Sequence, residues 1–127
     1  MSGRLLIDTD VLIDYLRGQA EAVDYLEAAT ESLLTSSITV AELFAGVREG
    51  KERVALSTFL KEFEVIGINA AIAEHAGLLR RDYGKSHGTG LVDALIAATT
   101  EHAQASLVTL NRKHFPMLED VRLPYRK

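Results

Sequence analysis

Short apolar runs alternate with longer stretches of helical spacing along the whole chain. Leu5-Leu6-Ile7 predicts a buried strand closed by Asp8, and Thr9–Arg17 a helix stopped by Gly18. A second helix is predicted over Ala20–Ala29 and a short strand over Leu33–Ser36. Helices follow over Thr39–Arg48 and Lys51–Phe63, the latter with Val54, Leu56, Phe59, Leu60 and Phe63 near helical spacing. Val65–Ile68 reads as a strand, Ala70–Tyr83 as a long helix, Gly84–Gly90 as a glycine-rich loop and Val92–Ala103 as a helix. Leu107–Leu110 and Val121–Leu123 complete the pattern as strands four and five.

Strands this short and apolar, separated by helices, predict an α/β fold: a parallel sheet of four to five strands covered on both faces. Ligands of such open sheets bind beyond the carboxyl ends of the strands. Asp8, which closes strand one, and Asn111, which follows strand four, are therefore expected at the candidate edge.

Three carboxylates stand in apolar surroundings. Asp8 ends the run LLID, Glu42 is the one charge in ITVAELFAGV, and Asp93 is the one charge in GLVDALIAAT. The two helices are apolar nearly all round, so most of each is expected to be buried. A buried carboxylate must be neutralised, paired or bound to a cation, and no basic residue lies within a helical turn of Glu42 or Asp93. Convergence of all three on one divalent ion, Mg²⁺ or Mn²⁺, would satisfy them together. Taken singly, Asp8 or Asp10 also suits a helix N-cap, and Asp93 a first-turn acid favoured by the helix dipole.

The 127 residues suit a single domain, 1–127, with 47% apolar and 25% charged residues, which excludes a disordered chain. There is no cysteine, so disulfides, thiolate metal sites and thiol catalysis are ruled out. Asp8, Asp10 and Asp14 interrupt the N-terminal apolar run, so no signal peptide or membrane span is expected and a cytoplasmic location is. The net charge of −4 argues against a simple nucleic-acid coat. It is unevenly spread, with 6 Lys or Arg against 13 Asp or Glu in residues 1–79 and 8 against 5 in residues 80–127. The basic C-terminal third is the part suited to face phosphates. Of the four histidines, none pairs with another at helical spacing and no HExxH occurs, so a zinc site is not expected; His114 in NRKHF reads as a surface residue of a short helix, the alternative being that it reaches the active edge as a proton shuttle.

The blocks LLIDTDVLID, SSITVAELFAG, GLVDALIAAT and LVTLNRKHF, in that order, resemble those of PIN-domain ribonucleases, nearest to the VapC-type toxins of bacterial toxin–antitoxin pairs. The resemblance covers the chain from Arg4 to about Leu123. It implies a small α/β/α sandwich and Mg²⁺- or Mn²⁺-dependent endonucleolytic cleavage of structured RNA such as tRNA, by in-line attack of metal-activated water that leaves a 5′-phosphate and a 3′-hydroxyl. Residue by residue, Asp8, Glu42 and Asp93 match the family's metal-binding acids, and Asn111 falls where many members carry a fourth. Thr9 matches a hydroxyl that orients Asp8 or water, and Asp10 stands where the family often has Asn. Arg80, Arg81, Lys85, Arg112 and Lys113 are the candidates for the RNA backbone. The resemblance also implies two partners: a small cognate antitoxin that blocks the site, and a second copy of the chain. Both are expected on exposed apolar positions of residues 20–63.

Two other readings compete with this one. LLIDTDVL also resembles the DxD motif of haloacid-dehalogenase-type phosphatases, with Asp8 as nucleophile and Asp10 as acid, but Glu42 would then have no part. A non-enzymatic module, either a receiver or a catalytically silent PIN-like binding domain, lacks support: no acid follows strand three, and the three principal acids are present.

Overall fold

Five strands form one parallel sheet in the order β3-β2-β1-β4-β5: β1 (Arg4–Ile7), β2 (Ser32–Ser36), β3 (Glu64–Ile66), β4 (Ser106–Val108) and β5 (Val121–Arg122). They are joined by helices α1 (Thr9–Leu16), α2 (Ala20–Ala28), α3 (Ser37–Ala45), α4 (Lys51–Leu60), α5 (Ala70–His87) and α6 (Leu91–His102), and by a 3-10 turn at Arg112–His114. This is a computed structural model describing residues 3–127.

Side chains alternate across a strand, and β1 uses both faces. Leu5 and Ile7 join a core with Val11, Leu12, Ala22, Leu26, Leu43 and Leu56 from α1–α4. Leu6 joins the opposite core with Ile72, Ala76, Leu79, Ala94 and Ile96 from α5 and α6. The result is the expected α/β/α sandwich, with β1 buried on both sides. The strand order reverses between β1 and β4, so the carboxyl ends of these neighbours flank the crevice where such sheets bind ligands.

Local chemistry sets where the helices begin. Asp8, Gln19, Ser36 and Asn69 each accept a backbone N–H from the first turn of α1, α2, α3 and α5 respectively. The Ser36 cap starts α3 two residues earlier than the apolar pattern predicts, and Gly46 ends it before Arg48. Helix α4 stops at Leu60, and Val54 lies 66% exposed, off the core face.

The predicted loop at Gly84–Gly90 is mostly helix. Helix α5 continues through Gly84 to His87, and the chain turns only at Gly88, whose φ of 67° suits glycine. Strand β4 ends early because the Leu110 N–H donates to Asp10 Oδ2 (3.2 Å), and β3 because the Ile68 N–H donates to Ser37 Oγ (3.3 Å).

The expectation that both acid-bearing helices are largely buried holds for α6 and fails for α3. Residues Ala94 and Ile96–Thr100 are buried in α6, whereas only Thr39 and Leu43 are buried in α3, and Glu42 is exposed. Apolar composition reflects burial only when the helix is surrounded, and α3 presents its outer side to a groove against α1 and α4. Among the described residues, no helix is long and apolar enough to cross a membrane.

Candidate active site

Asp8 leaves β1 at the crevice and caps α1. Its Oδ1 accepts the Thr9 N–H (2.8 Å) and its Oδ2 accepts the Thr109 hydroxyl (2.7 Å) from the end of β4. The side chain is buried, and its pKa is pushed up to about 7. Loss of hydration is the main cause, with repulsion from Asp10 and Asp93 adding to it; the bonds from Thr109 and Thr9 oppose the rise. Among the described residues, the charged form of Asp8 is supplied with hydrogen bonds but with no Lys or Arg partner.

Thr9 carries the contact to Glu42. Its hydroxyl donates to Glu42 Oε1 (2.8 Å) and stands 2.9 Å from the Thr39 hydroxyl. One hydroxyl has one proton, so Thr39 donates to Thr9 and Thr9 to Glu42. The expected role of this hydroxyl was to orient Asp8 or water; it is Glu42 that it holds, while Asp8 takes the Thr9 backbone.

Asp93 lies in the first turn of α6, where its Oδ2 accepts the Gly90 N–H (3.1 Å). The same oxygen is 3.3 Å from His114 Nδ1. His114 therefore takes the alternative place, at the active edge, and not the free surface of a short helix. It is half-buried, and its carbonyl accepts the Thr89 hydroxyl (2.7 Å), which fastens the 3-10 turn to the loop before α6.

Asp10 and Asn111 form the outer part of the crevice. Asn111 Nδ2 donates to Asp10 Oδ2 (3.1 Å), and Asp10 Oδ1 is buried without a hydrogen-bond partner. Burial raises the Asp10 pKa, the Leu110 N–H and the nearby Val11 N–H oppose the rise, and Asp14 adds repulsion.

The oxygens are neighbours without forming a ready coordination set. Asp8 and Asp93 interact electrostatically, and Glu42 joins Asp8 through Thr9. Yet among the described residues no group of three His, Asp or Glu side chains is gathered closely enough to hold a metal ion. Like charges repel, and each carboxylate turns to its own donors: Glu42 to Thr9, Asp93 to Gly90 and His114. The donor set itself fits a hard divalent cation. It is all oxygen, its most buried member is hard to ionise alone, and Asp10 Oδ1 lacks a donor.

Of the basic candidates, Arg80, Arg81, Lys85, Arg112 and Lys113 are all exposed. Arg81 is paired with Asp82 (2.9 Å), whereas Arg112 and Lys113 ride on the 3-10 turn that ends at His114. Sequence reasoning missed Thr39 and Thr109, and it offered His114 at the active edge only as an alternative and without Asp93 as its partner. A hydroxyl flanked by apolar residues, as in LVTL, was the available signal for Thr109.

The PIN domain family model matches residues 5–119. Ribonuclease VapC10 of Mycobacterium tuberculosis is 41% identical over 95% of this chain and 92% of its own. Ribonuclease VapC19 of the same organism is 40% identical over 94% of this chain and 98% of its own. A chain of the solved toxin–antitoxin complex from Klebsiella pneumoniae superposes with a TM-score of 0.84 at 32% identity, covering 97% of this chain and 99% of that one. These matches leave no ground for the phosphatase reading. Because the matched span takes in β1, both acid-bearing helices and the 3-10 turn, the chain belongs to the PIN-domain family, among its VapC-type members.

Proposed function

We propose that this chain is a divalent-metal-dependent endoribonuclease, a single nuclease domain serving as the toxin half of a toxin–antitoxin pair and hydrolysing structured RNA such as tRNA in the cytoplasm. The observation that carries the reading is Asp8. It is buried at the point where the strand order reverses and is pressed by Asp10 and Asp93, and the hydrogen bonds from Thr9 and Thr109 only partly offset the rise in its pKa. Relatives named ribonucleases support the same conclusion.

Asp8, Glu42 and Asp93 would hold the cation, Mg²⁺ or Mn²⁺. When bound, such an ion supplies a Lewis acid that activates water and carries charge developing on the phosphate. Thr109 aims one oxygen of Asp8, and Thr9 aims Glu42. His114 and the Gly90 N–H fix Asp93 from one side. Asn111 holds Asp10 and adds no charge of its own. Arg80, Arg81, Lys85, Arg112 and Lys113 are the cations available to the RNA backbone. No side chain need act as nucleophile; the 5′-phosphate and 3′-hydroxyl products are those that the family resemblance implies.

The partner reading rests on a groove of about 460 Å³ lined by Ile13, Leu16, Leu43, Val47 and Leu56, with Glu42 at its edge. Leu16 and Val54 are exposed, at 44% and 66%. A small antitoxin laid in this groove would cover apolar surface and reach the acids through Glu42. The match to a chain of a solved toxin–antitoxin complex supports this occupant. A homodimer is proposed alongside it, and light scattering that gives only monomer would remove that part.

The deciding experiment is cleavage of total cellular RNA by wild type and Asp93→Asn, with Mg²⁺, Mn²⁺ or EDTA, followed by mapping of the ends. Cutting by wild type that requires the metal and is lost in the variant is the expected result. Cutting that persists in EDTA, or in Asp93→Asn, refutes the reading.

A further inference from the structure

Helix α5 contains two glycines, Gly77 and Gly84, although glycine weakens a helix interior. Neither has a backbone conformation that requires glycine, since the positive-φ glycines are Gly18, Gly50 and Gly88. Their surroundings differ. A Cβ at Gly77 would meet nothing within 4 Å. A Cβ at Gly84 would overlap the guanidinium of Arg80 and stand 3.5 Å from the Thr89 carbonyl oxygen. The Arg80 side chain is thus folded along its own helix into the space left by Gly84, beside Thr89.

That position is at the rim of the acidic crevice. Thr89 precedes Gly90, whose N–H holds Asp93, and its hydroxyl holds the 3-10 turn through the His114 carbonyl. Arg80 makes no ion pair or hydrogen bond among the described residues, whereas its neighbour Arg81 is paired with Asp82. The guanidinium lies along the bare helix surface at Gly84, and among the described residues its five donors are uncommitted.

We propose that Gly84 is a positioning residue for the substrate: its missing side chain seats the Arg80 guanidinium against Thr89, where it takes a backbone phosphate of the RNA strand entering beside Asp93. The proposal rests on the ribonuclease reading and deepens it. A planar guanidinium matches phosphate oxygens bidentately, and the room at Gly84 lets it lie where the strand passes.

The test uses a labelled single-stranded RNA and EDTA, so that binding is read by fluorescence anisotropy without cleavage. The variants are Arg80→Ala, Gly84→Ala, their double mutant and Gly77→Ala. Arg80→Ala is expected to weaken binding roughly fivefold, as for loss of one exposed charge-assisted contact, and to flatten the salt dependence by about 0.7 in logarithmic slope. Gly84→Ala should do the same while raising the melting temperature by about 2–5 °C, because the helix gains a better former. In the Arg80→Ala background, Gly84→Ala should have no further effect on binding. Gly77→Ala should also raise the melting temperature and leave binding unchanged. A merely structural role for Gly84 would lower stability and affinity together.

The proposal fails, with the ribonuclease reading intact, if wild type binds and cuts RNA while Gly84→Ala binds like wild type, or if the two substitutions add independently. If wild type neither binds nor cuts RNA, both fail.

Discussion

The Thr9 hydroxyl lies 2.8 Å from Glu42 Oε1, while the N–H of the same residue lies 2.8 Å from Asp8 Oδ1. One residue therefore sets the spacing of two acids that arrive from different elements. Thr9→Val keeps the shape and removes the donor. Outer-shell losses of this kind cost about 10- to 100-fold in metal affinity or activity. We expect RNA cleavage to fall by that order, and Thr9→Ser to restore most of it. Cleavage rates measured across a Mn²⁺ titration check both.

Asp8 ties stability to pH. Its pKa is raised to about 7 in the folded chain from an ordinary 3.8, so the folded state binds the proton more tightly. Asp8 therefore contributes most below pH 4, and its contribution falls as the pH rises to about 7, then levels off. Without added divalent ion, wild type should lose stability across that window relative to Asp8→Asn. The variant should be the more stable protein at pH 8 and inactive. Urea unfolding at pH 5 and pH 8 reads the crossover.

Thr109 has two partners: its hydroxyl donates to Asp8 and accepts the Asn111 N–H (3.1 Å), and only the bond to Asp8 depends on pH. Thr109→Val leaves one oxygen of a buried carboxylate without its donor, at a cost of about 1–3 kcal/mol when Asp8 is ionised. At pH 5, where Asp8 is protonated, the loss should shrink. Equal losses at both pH values would show that Thr109 acts through packing or its bond from the Asn111 N–H, and not through Asp8.

A second buried acid behaves in the opposite sense. Asp14 accepts the Tyr125 hydroxyl (2.8 Å) and the Lys127 ammonium (3.2 Å). Burial raises its pKa, but these two partners outweigh burial and hold it below the ordinary value; burial first, and then the same contact, raise Tyr125. The stabilisation is present above pH 4 and is lost as the pH falls through the depressed value. Tyr125→Phe should cost about 1–2 kcal/mol at pH 7 and less at pH 2 to 3. Thermal unfolding across that range is the measurement.

Added Mn²⁺ should raise the melting temperature at pH 8, because an ion that binds only the folded state stabilises it by mass action. Tenfold more ion above saturation should add about 1.4 kcal/mol. The gain should be reduced in Asp93→Asn and reversed by EDTA. An Asp93→Asn protein stabilised as strongly as wild type would remove Asp93 from the cation site.

The local reading of the chain was accurate where physics is local. Apolar runs located all five strands, and turn and cap residues located the six helices within a few positions, because burial and the unpaired groups at helix ends are written into neighbouring residues. The end of β1 likewise marked Asp8 as the residue delivered to the sheet edge. Local reading erred where a partner came from elsewhere. Glu42 was expected to be buried from the apolar sequence around it, yet α3 has an open side. Gly84 was read as loop, yet α5 passes through it.

What only the tertiary structure decided is which distant groups meet. The bonds from Thr9 to Glu42, Thr109 to Asp8 and Tyr125 to Asp14 span 33, 101 and 111 residues. Each depends on β1 lying between β2 and β4 in a particular register. Periodicity specifies the face a residue occupies, and many strand orders bury the same faces. The order that brings Thr109 to Asp8 is chosen by packing of the whole chain, so it leaves no mark at either residue alone.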